Sequence, residues 1–268
     1  MVMHNHSVSL IVSTYNWPQA LDICLESILR QTVMPTEVII ADDGSTPDTQ
    51  KLIALYSKKF PVPLLHVWQE DDGFQLSRIR NKAIAAASGD YIIQVDGDLI
   101  LEKHFVEDHI LFSRRNSFVS GSRVIMGQEL STRLLEKHIT KIKLTTKGLT
   151  NVVNGLRIPF ISRKLEKYKN DDVYYLRGCN MAFWRSDLIK VNGYNEAFEG
   201  WGREDNEIGL RLINSGVEKR VIKFSGIVFH IYHPEKTRSG LNINDELLHQ
   251  TAINKLKYCE KGLSQYIS

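Results

Sequence analysis

Residues 91–98 carry the sequence YIIQVDGD, an apolar run that ends in two carboxylates separated by a glycine. An almost continuous hydrophobic run is typical of a parallel strand that is covered on both faces. Ligands of open α/β sheets bind beyond the carboxyl ends of such strands, and two acids there suit a divalent cation that also holds a phosphate. The alternative for Asp96-Gly97-Asp98 is a turn in which Asp and Gly only satisfy the backbone geometry.

Three strand-and-helix units precede this run. Apolar and β-branched stretches predict strands, helical spacing of apolar residues predicts helices, and Asn16 is the predicted cap of the first helix. The predicted strands are 8–13, 37–41 and 64–68, and the predicted helices are 16–31, 46–58 and 76–88. This βαβαβαβ order predicts an α/β fold with a mostly parallel central sheet and helices on both faces.

The pattern changes after residue 98, but it shows neither internal repeats nor a low-complexity linker. Predicted strands are 118–126 and 220–230, and 173–184 is predicted to be extended with a break at 177–180. Predicted helices are 103–115, 186–191, 204–214 and 244–262, while 128–169 has no clear periodicity. We therefore expect one domain. Its nucleotide-binding half is about 1–100, its metal and acceptor half about 101–235, and its helical tail about 236–268.

Composition excludes several classes of protein. With 34 basic and 31 acidic residues, the net charge of +3 is too balanced to indicate nucleic-acid binding. The three widely spaced cysteines do not suggest a disulfide framework or a zinc site, and they favour a reducing cytoplasm. The polar start at 1–7 does not resemble a signal peptide, and no apolar run approaches the roughly 20 residues of a membrane span.

Polar side chains follow the first two predicted strands and should share an edge with the Asp-Gly-Asp motif. Ser13, Tyr15 and Asp43 together could hold a nucleoside, with the ring on the base and the carboxylate on a ring N–H or ribose hydroxyl. Neither a dinucleotide-binding Gly-x-Gly-x-x-Gly nor a Walker loop is present. Asp42 is the alternative acid here, with a turn-capping role of comparable weight.

Two arginines in the stretch QLSRIRN, residues 75–81, precede the apolar run. Arg78 and Arg80 suit a diphosphate through charge-assisted hydrogen bonds, although most arginines are solvated surface residues. Gln75 opens the same stretch and is included among the candidate nucleotide-binding residues.

The second dense stretch is EGWGRED, residues 199–205. Trp201 between glycines offers a flat apolar face that complements the C–H face of a sugar. Glu204 and Asp205 then open a helix, where carboxylates are also favoured simply as capping charges. A glycosidase would use paired acids as well, but that interpretation leaves Asp96 and Asp98 unexplained.

Histidine supplies the last candidate metal ligand. His230 ends the final predicted strand and could complete a site begun by Asp98. Mixed carboxylate and imidazole ligation favours Mn²⁺ over Mg²⁺. A single histidine is more often structural, and His233, which precedes Pro234, is the weaker candidate.

Together these motifs resemble family 2 glycosyltransferases with the GT-A fold. The resemblance spans roughly residues 8–234 and rests on VSLIVSTYN, VIIADDGS, QLSRIRN and VDGD. The later segments RGCNMAF and GWGRED are similar to those of chondroitin-polymerase and galactosyltransferase-like enzymes. The family usually has Gly-Gly-Asn at 178–180 and Gly-Gly at 202–203, so Cys179 and Arg203 are departures near the sugars.

The resemblance implies inverting transfer from a nucleotide-diphospho-sugar, usually a UDP-sugar, with Mn²⁺ or Mg²⁺ as the cofactor. For the donor, the resemblance implies nucleoside binding by Ser13, Tyr15 and Asp43, ribose binding by Asp96, and a position near uracil and diphosphate for Arg80. It implies metal binding by Asp98 and His230. It also implies that Asp205 is the general base with Glu204 beside it, and that Gly178 and Asn180 bind the sugar.

The expected partners are a nucleotide-sugar and a glycan or lipid-linked acceptor of surface polysaccharide or lipopolysaccharide synthesis. The alternatives are a nucleotidyltransferase, which would need a Gly-rich loop after the first strand, and a lectin-like module, which would explain Trp201 only. We expect a cytoplasmic protein. The basic stretches 137–147 and 163–169 are interpreted as solvated faces, and peripheral contact with anionic membrane is the less favoured alternative.

Overall fold

The structure is a computed structural model, and it describes residues 6–234 and 241–267. Its strands are β1 (Val8–Thr14), β2 (Glu37–Asp42), β3 (Leu64–Trp68), β4 (Tyr91–Asp96), β5 (Leu99–Leu101), β6 (Ser117–Gly121), β7 (Val124–Met126), β8 (Leu149–Thr150), β9 (Asn180–Trp184), β10 (Glu218–Ile222) and β11 (Val228–His230). Its α-helices are α1 (Pro18–Ile28), α2 (Pro47–Ser57), α3 (Leu76–Ala86), α4 (Phe105–Phe112), α5 (Gln128–Glu136), α6 (Pro159–Lys164), α7 (Arg185–Lys190), α8 (Glu204–Asn214) and α9 (Leu241–Ile253).

A seven-stranded sheet organises the molecule, with the strand order β10-β6-β9-β4-β1-β2-β3. Neighbouring strands are parallel except at β9, which runs antiparallel to both β4 and β6. A second sheet of four short strands, in the order β5-β11-β7-β8, lies in the later half of the chain. The predicted α/β fold with a mostly parallel central sheet is confirmed.

The core lies on both faces of the large sheet. Successive residues of β1 alternate between two clusters, with Leu10 and Val12 in one and Ile11 in the other. Every residue of β1 is buried, because helices cover both faces of this central parallel strand. A third cluster packs between the small sheet and α1 and α5, and it includes Ile23, Leu130 and Phe229.

Several predicted boundaries in the second half are wrong. The predicted strands 118–126 and 220–230 are each two strands, since the chain leaves the large sheet and enters the small one. In the predicted extended stretch 173–184, only the part from Asn180, at the end of the predicted break, forms a strand, and the tail helix ends at Ile253. In 128–169, the structure has α5, β8, a 3₁₀ turn and α6.

The predicted cap of the first helix is also wrong. Trp17 occupies the cap position of α1, whereas Asn16, at a φ of 47°, accepts a hydrogen bond from the Thr46 amide and so ties β1 to the turn after β2. Helix α7 begins at Arg185, one residue before the predicted start at Ser186. Residues 1–5 of the polar start and residues 236–240 of the predicted tail lie outside the described residues.

Candidate functional site

The carboxyl ends of β1, β2 and β4 open into a cavity of about 780 Å³. Ser13 is in register with Asp96 across the β1–β4 pair, so the parallel sheet brings the first strand end directly beside the Asp-Gly-Asp motif. Tyr15 and Asp43 line the same cavity. The structure therefore brings together the predicted nucleoside-binding residues and the predicted acid edge.

The two acids after β2 have different surroundings. Asp42 accepts a hydrogen bond from the Ser45 amide and contacts His66 at 2.9 Å, so it is the turn-capping acid. Asp43 faces the cavity, where its carboxylate accepts hydrogen bonds from the Gln69 side chain at 2.6 Å and the Gln75 amide at 3.0 Å. These donors fix the Asp43 carboxylate in one orientation.

Arg80 is the buried centre of the acidic edge, with only 2% of its side chain exposed. Its guanidinium donates to Asp205 at 3.0 Å and to Asp96 at 3.2 Å, and it lies 3.8 Å from Glu204. Burial alone would lower the pKa of Arg80, but these carboxylates raise it instead. Arg80 therefore joins the strand-end acid to the acids of α8, which are more than a hundred residues away in sequence. Arg78, by contrast, reaches outward to Asp72 at 3.7 Å.

Two of the acids around Arg80, Glu204 and Asp96, have a raised pKa and so hold protons more tightly than ordinary carboxyls. Burial and the neighbouring Asp205 charge together raise the pKa of Glu204 to about 8, against the attraction of Arg80. Burial likewise raises the pKa of Asp96 to about 6, again against Arg80. One guanidinium thus does not fully offset three carboxylates in so little solvent.

Asp205 is held from three sides at the N-terminus of α8. It accepts hydrogen bonds from Arg80 and, at 3.3 Å, from the Tyr194 hydroxyl. Gly178 packs so closely that a Cβ there would lie 1.7 Å from Asp205 Oδ2. Gln94, within β4, contacts both the Tyr194 hydroxyl and the Gly178 carbonyl at 2.9 Å. Gly178 therefore admits the carboxylate rather than presenting a side chain of its own.

Asp98 forms a separate cluster with two histidines. His230 Nε2 lies 3.5 Å and His233 Nε2 lies 3.2 Å from Asp98 Oδ2, and one ligand atom from each of the three residues falls within 4.8 Å of the others. The structure thus also places His233, the weaker sequence candidate, at the site. The signal in the sequence was the spacing of two histidines three residues apart after a strand end.

The pKa shifts in this cluster follow from the same contacts. Burial alone would raise the pKa of Asp98, but the hydrogen bond with His233 and the charges of both histidines lower it. Burial lowers the pKa of His230, whereas the hydrogen bond to Asp98 raises the pKa of His233. Asp98 Oδ1 is buried and has no hydrogen-bond partner among the described residues.

Three predicted site residues do not line the cavity: Gln75, Asn180 and His230. The Asn180 side chain is fully buried, where it donates to the Ser122 and Gly226 carbonyls and contacts His109 at 3.0 Å. This is a correction, because all of its polar groups serve the packing of β9. Gln75 contacts the site through its backbone amide, which donates to Asp43.

The loop before α8 presents the predicted sugar platform. Trp201 lines the cavity and is 40% exposed. Gly200, Gly202 and Arg203 all have positive φ, at 73°, 103° and 79°, so Arg203 adopts a conformation that usually requires glycine. Arg203 lies 5.3 Å from the Tyr174 ring and pairs with Asp245 of α9 at 2.5 Å. The departure from Gly-Gly therefore links the loop to α9.

Cys179, the other departure, is buried beside Arg123, whose guanidinium donates to the thiol sulfur at 3.7 Å. Arg123 lines the cavity and faces the charges of Asp96 and Asp98. Sequence reasoning missed this arginine, because it stands outside every motif on which the resemblance rests.

Comparison with known proteins agrees with the geometry. Residues 9–191, more than half of the chain, match the family described as Glycosyl transferase family 2. The chain belongs to glycosyltransferase family 2. Residues 161–234 also match the N-terminal domain of galactosyltransferase, which covers the loop and strand that carry the later motifs. The resemblance predicted from the motifs is confirmed, and the family match does not support the nucleotidyltransferase and lectin-like alternatives.

Curated relatives of this family 2 chain include two polysaccharide synthases. It is 27% identical to chondroitin synthase of Escherichia coli over 91% of the chain and 38% of the relative. It is 29% identical to hyaluronan synthase of Pasteurella multocida over 87% of the chain and 25% of the relative. The chain therefore spans well under half the length of these relatives.

Solved structures show the same fold. S. aureus TarS 1-349 in complex with UDP-GlcNAc matches with a TM-score of 0.66 and 16% identity over 97% of this chain and 69% of that one. The mannosyltransferase PcManGT from Pyrobaculum calidifontis, in complex with GDP-Man and Mn²⁺, matches with a TM-score of 0.62 and 17% identity over 93% of this chain and 64% of that one. Among the described residues, no helix has the length and apolar character needed to cross a bilayer.

Proposed function

We propose that this family 2 domain transfers a sugar, with inversion, from a nucleotide-diphospho-sugar to an acceptor hydroxyl, and that the nucleotide is UDP. One observation carries the proposal: Arg80 joins Asp96, at the nucleotide edge, to Asp205, at the start of α8, within one cavity. A strand-end acid for the donor and a second acid for the acceptor are the two parts that such a transfer needs. The solved structures with bound UDP-GlcNAc and GDP-Man support a nucleotide-sugar donor.

The donor nucleoside is assigned to Ser13, Tyr15 and Asp43, with Asp96 towards the ribose. Tyr15 is 38% exposed at the rim, so its ring is accessible for stacking on a base. Asp43 is held by two hydrogen-bond donors, which orients it as an acceptor for a base N–H or a ribose hydroxyl. Arg123 supplies positive charge where the diphosphate would lie, and Arg80, whose charge is engaged by carboxylates, holds Asp96 beside it.

The cofactor is assigned to Asp98, His230 and His233, and Mn²⁺ is the proposed ion. These residues fit a divalent cation because Asp98 Oδ1 is a buried oxygen with no hydrogen-bond partner among the described residues, and two imidazole nitrogens converge on the same carboxylate. Two nitrogen ligands favour Mn²⁺ over Mg²⁺, which prefers oxygen. A bound divalent cation would neutralise the charge that develops on the departing diphosphate.

Asp205 is the proposed general base. Its carboxylate would take the proton of the acceptor hydroxyl as the oxygen attacks the anomeric carbon, and single displacement needs no enzyme nucleophile. Tyr194, Arg80 and the close approach of Gly178 hold it in place. Glu204 lies beside it with a raised pKa, so near neutral pH it can donate a hydrogen bond to a sugar hydroxyl.

The acceptor is proposed to be a glycan or lipid-linked saccharide, since the named relatives include chondroitin and hyaluronan synthases. Trp201 and Gly178 lie at the acceptor side of the cavity. We also propose that the described part of the chain acts as one domain, with the nucleotide half up to about residue 100, and that it works in the cytoplasm. Peripheral contact with anionic membrane stays the less favoured alternative.

The test is Asp205→Asn, which keeps the size of the side chain and removes its basicity. We expect the rate of sugar transfer to fall by about 10²-fold or more. UDP binding with Mn²⁺, measured by calorimetry, should be retained. Transfer at the wild-type rate in this variant would refute the assignment of the base. A separate donor screen should measure UDP release from several UDP-sugars with and without Mn²⁺.

A further inference from the structure

A line of tyrosines and cations leads out of the cavity on its acceptor side. Tyr175 and Arg177 line the cavity, with the guanidinium 5.4 Å from the ring. Tyr168 meets Tyr175 edge to face at 5.6 Å. Lys169 lies 4.8 Å from the Tyr175 ring, and Lys223 lies 4.5 Å from the Tyr168 ring. We call these five residues the outer track, which begins at the reaction centre and ends on the surface.

The inner end of the outer track adjoins the candidate base. Arg177 directly precedes Gly178, the residue whose Cα packs against Asp205. An acceptor whose terminal hydroxyl reaches Asp205 would therefore have its remaining residues next to Arg177 and Tyr175. Trp201, across the cavity, can accept the face of the reacting sugar.

The cations of the outer track have no acidic partners in the described part of the chain. Lys169, Arg177 and Lys223 form no ion pair within 4.0 Å with any carboxylate of residues 6–234 or 241–267. Asp172, on the same loop, is used locally, because its carboxylate accepts the Tyr174 amide at 2.9 Å. The charges of the outer track are therefore available to a ligand.

The surroundings of the outer track are positive. Segments 163–177 and 219–223 together hold eight basic and three acidic residues: Arg163, Lys164, Lys167, Lys169, Arg177, Lys219, Arg220 and Lys223 against Glu166, Asp171 and Asp172. Glu166 is already engaged by Arg114 and Arg220. Lys219 and Arg220 are buried, so the surface excess comes from the other six cations, and it complements an anionic ligand.

A buried lysine, Lys219, holds the loop that carries the outer track. Lys219 is 2% exposed, and its ammonium donates to the Lys169 carbonyl at 2.9 Å and the Asp172 carbonyl at 2.5 Å. The same ammonium lies 5.6 Å from the centre of the Tyr175 ring. A buried lysine that donates to two loop carbonyls holds the loop in one conformation. Less conformational entropy is therefore lost when the loop binds a ligand.

We propose that the outer track binds the distal residues of an anionic glycan acceptor, with sugar C–H faces on Tyr168 and Tyr175 and sugar carboxylates on Lys169, Arg177 and Lys223. The inference rests on the proposed transferase function and adds the chemical class of the acceptor. Rings alternate here with cations, instead of forming an aliphatic patch, which suits alternating apolar and anionic groups of a sugar chain better than a bilayer.

The experiment measures binding of a fluorescent unsulfated chondroitin oligosaccharide of ten sugars, with a neutral N-acetylglucosamine oligomer as the uncharged probe. The track variant is Lys169→Ala with Lys223→Ala, and the matched control is Lys58→Ala with Lys257→Ala, which removes two exposed lysines elsewhere. We expect the anionic probe to bind about tenfold more weakly to the track variant at low salt, and the control to match the wild type. Tyr168→Ala should weaken binding as well, and Tyr168→Phe should not.

Calorimetry with UDP and Mn²⁺ on the same samples separates the two proposals. If UDP binds but the anionic probe does not, or binds equally to the track variant and the control, the outer track is refuted and the transferase proposal stands. If the wild-type protein binds the neutral probe as tightly as the anionic probe, the outer track is also refuted. If the track variant loses binding to vesicles containing phosphatidylglycerol but binds the glycan as the wild type does, the surface is a membrane contact and the proposal is overturned.

Discussion

Two clusters of carboxylates share the cavity, and they differ in how their charge is balanced. Asp96, Glu204 and Asp205 surround Arg80, a buried cation that keeps its charge at any ordinary pH. Among the described residues, the side chains within ion-pair distance of Asp98 are those of His230 and His233, and imidazoles lose their charge near neutral pH. The first cluster carries its own cation, whereas the second has room for a cation from solution.

This difference separates two tasks within one site. The Arg80 cluster connects β4 to α8 and so links the two halves of the cavity through hydrogen bonds. The Asp98 cluster retains a buried oxygen, Oδ1, with no partner among the residues described. The comparison therefore predicts that variants of the first cluster act on stability and variants of the second act on metal affinity.

The largest expected effect comes from Arg80→Met, which fills the same space without the charge. Removing the partner of buried carboxylates should lower the free energy of unfolding by about 3 kcal/mol or more, measured by urea denaturation without metal. The loss should grow with pH, since the raised pKa values of Asp96 and Glu204 let these acids protonate instead at lower pH.

Arg78→Met is the matched control for this comparison. Arg78 lies on the same helix, but its side chain is 32% exposed and its partner Asp72 is 72% exposed at 3.7 Å. A solvated pair of this kind contributes little, so the free energy of unfolding should change by less than about 0.5 kcal/mol. Equal losses in the two variants would show that Arg80 does not organise the acids.

The second prediction concerns the Asp98 cluster. His233→Ala and His230→Ala should each weaken Mn²⁺ binding by about tenfold or more, measured by calorimetry in the presence of UDP. Binding should also weaken as the pH falls, because a metal ligand must be an unprotonated imidazole and the hydrogen bond to Asp98 raises the pKa of His233.

Two controls separate this effect from a general change of charge. His138→Ala removes a histidine that pairs with Asp22 on the surface, at 2.8 Å with half of its side chain exposed, and it should leave Mn²⁺ affinity unchanged. Asp205→Asn, in the other cluster, should also leave it unchanged. If the metal affinity falls for Asp205→Asn but not for His233→Ala, the proposed division between the clusters is wrong.

Sequence reasoning located much of the donor half, because local patterns decide it. Residues 91–98 form β4 and its acids as expected, and the strands before it lie where β-branched runs predict them. Parallel pairing predicts that Ser13 and Asp96 share one edge of the sheet, and the strand order in the structure then places them side by side.

The second half could not be predicted as well, because long-range contacts decide it. Nothing local shows that 118–126 divides between two sheets, or that Asn180 turns inward to His109 instead of towards a sugar. Arg80 was expected near the diphosphate, whereas its bond to Asp205 joins positions 125 residues apart. Such a pairing depends on the packing of α8 against the large sheet, which leaves no periodic signal in the sequence.

The smallest expected effect is a change in how stability depends on pH. The pKa of Glu204 is raised from 4.5 to about 8 in the folded protein, so between these values the folded state holds a proton that the unfolded state has lost. The stability from this group is complete below about pH 4.5 and is lost as the pH rises through 8, with a slope of at most about 1.4 kcal/mol per pH unit.

Glu204→Gln, which mimics the protonated acid, should therefore be more stable relative to the wild type at pH 8 than at pH 5, in urea denaturation without metal. Glu166→Gln is a control of opposite sign: burial would raise the pKa of Glu166, but the hydrogen bond from Arg220 lowers it, so this variant should lose stability at neutral pH. If both variants shift in the same direction, Arg80 alone balances its cluster. If they diverge, a proton on Glu204 is the second positive charge that the three carboxylates require.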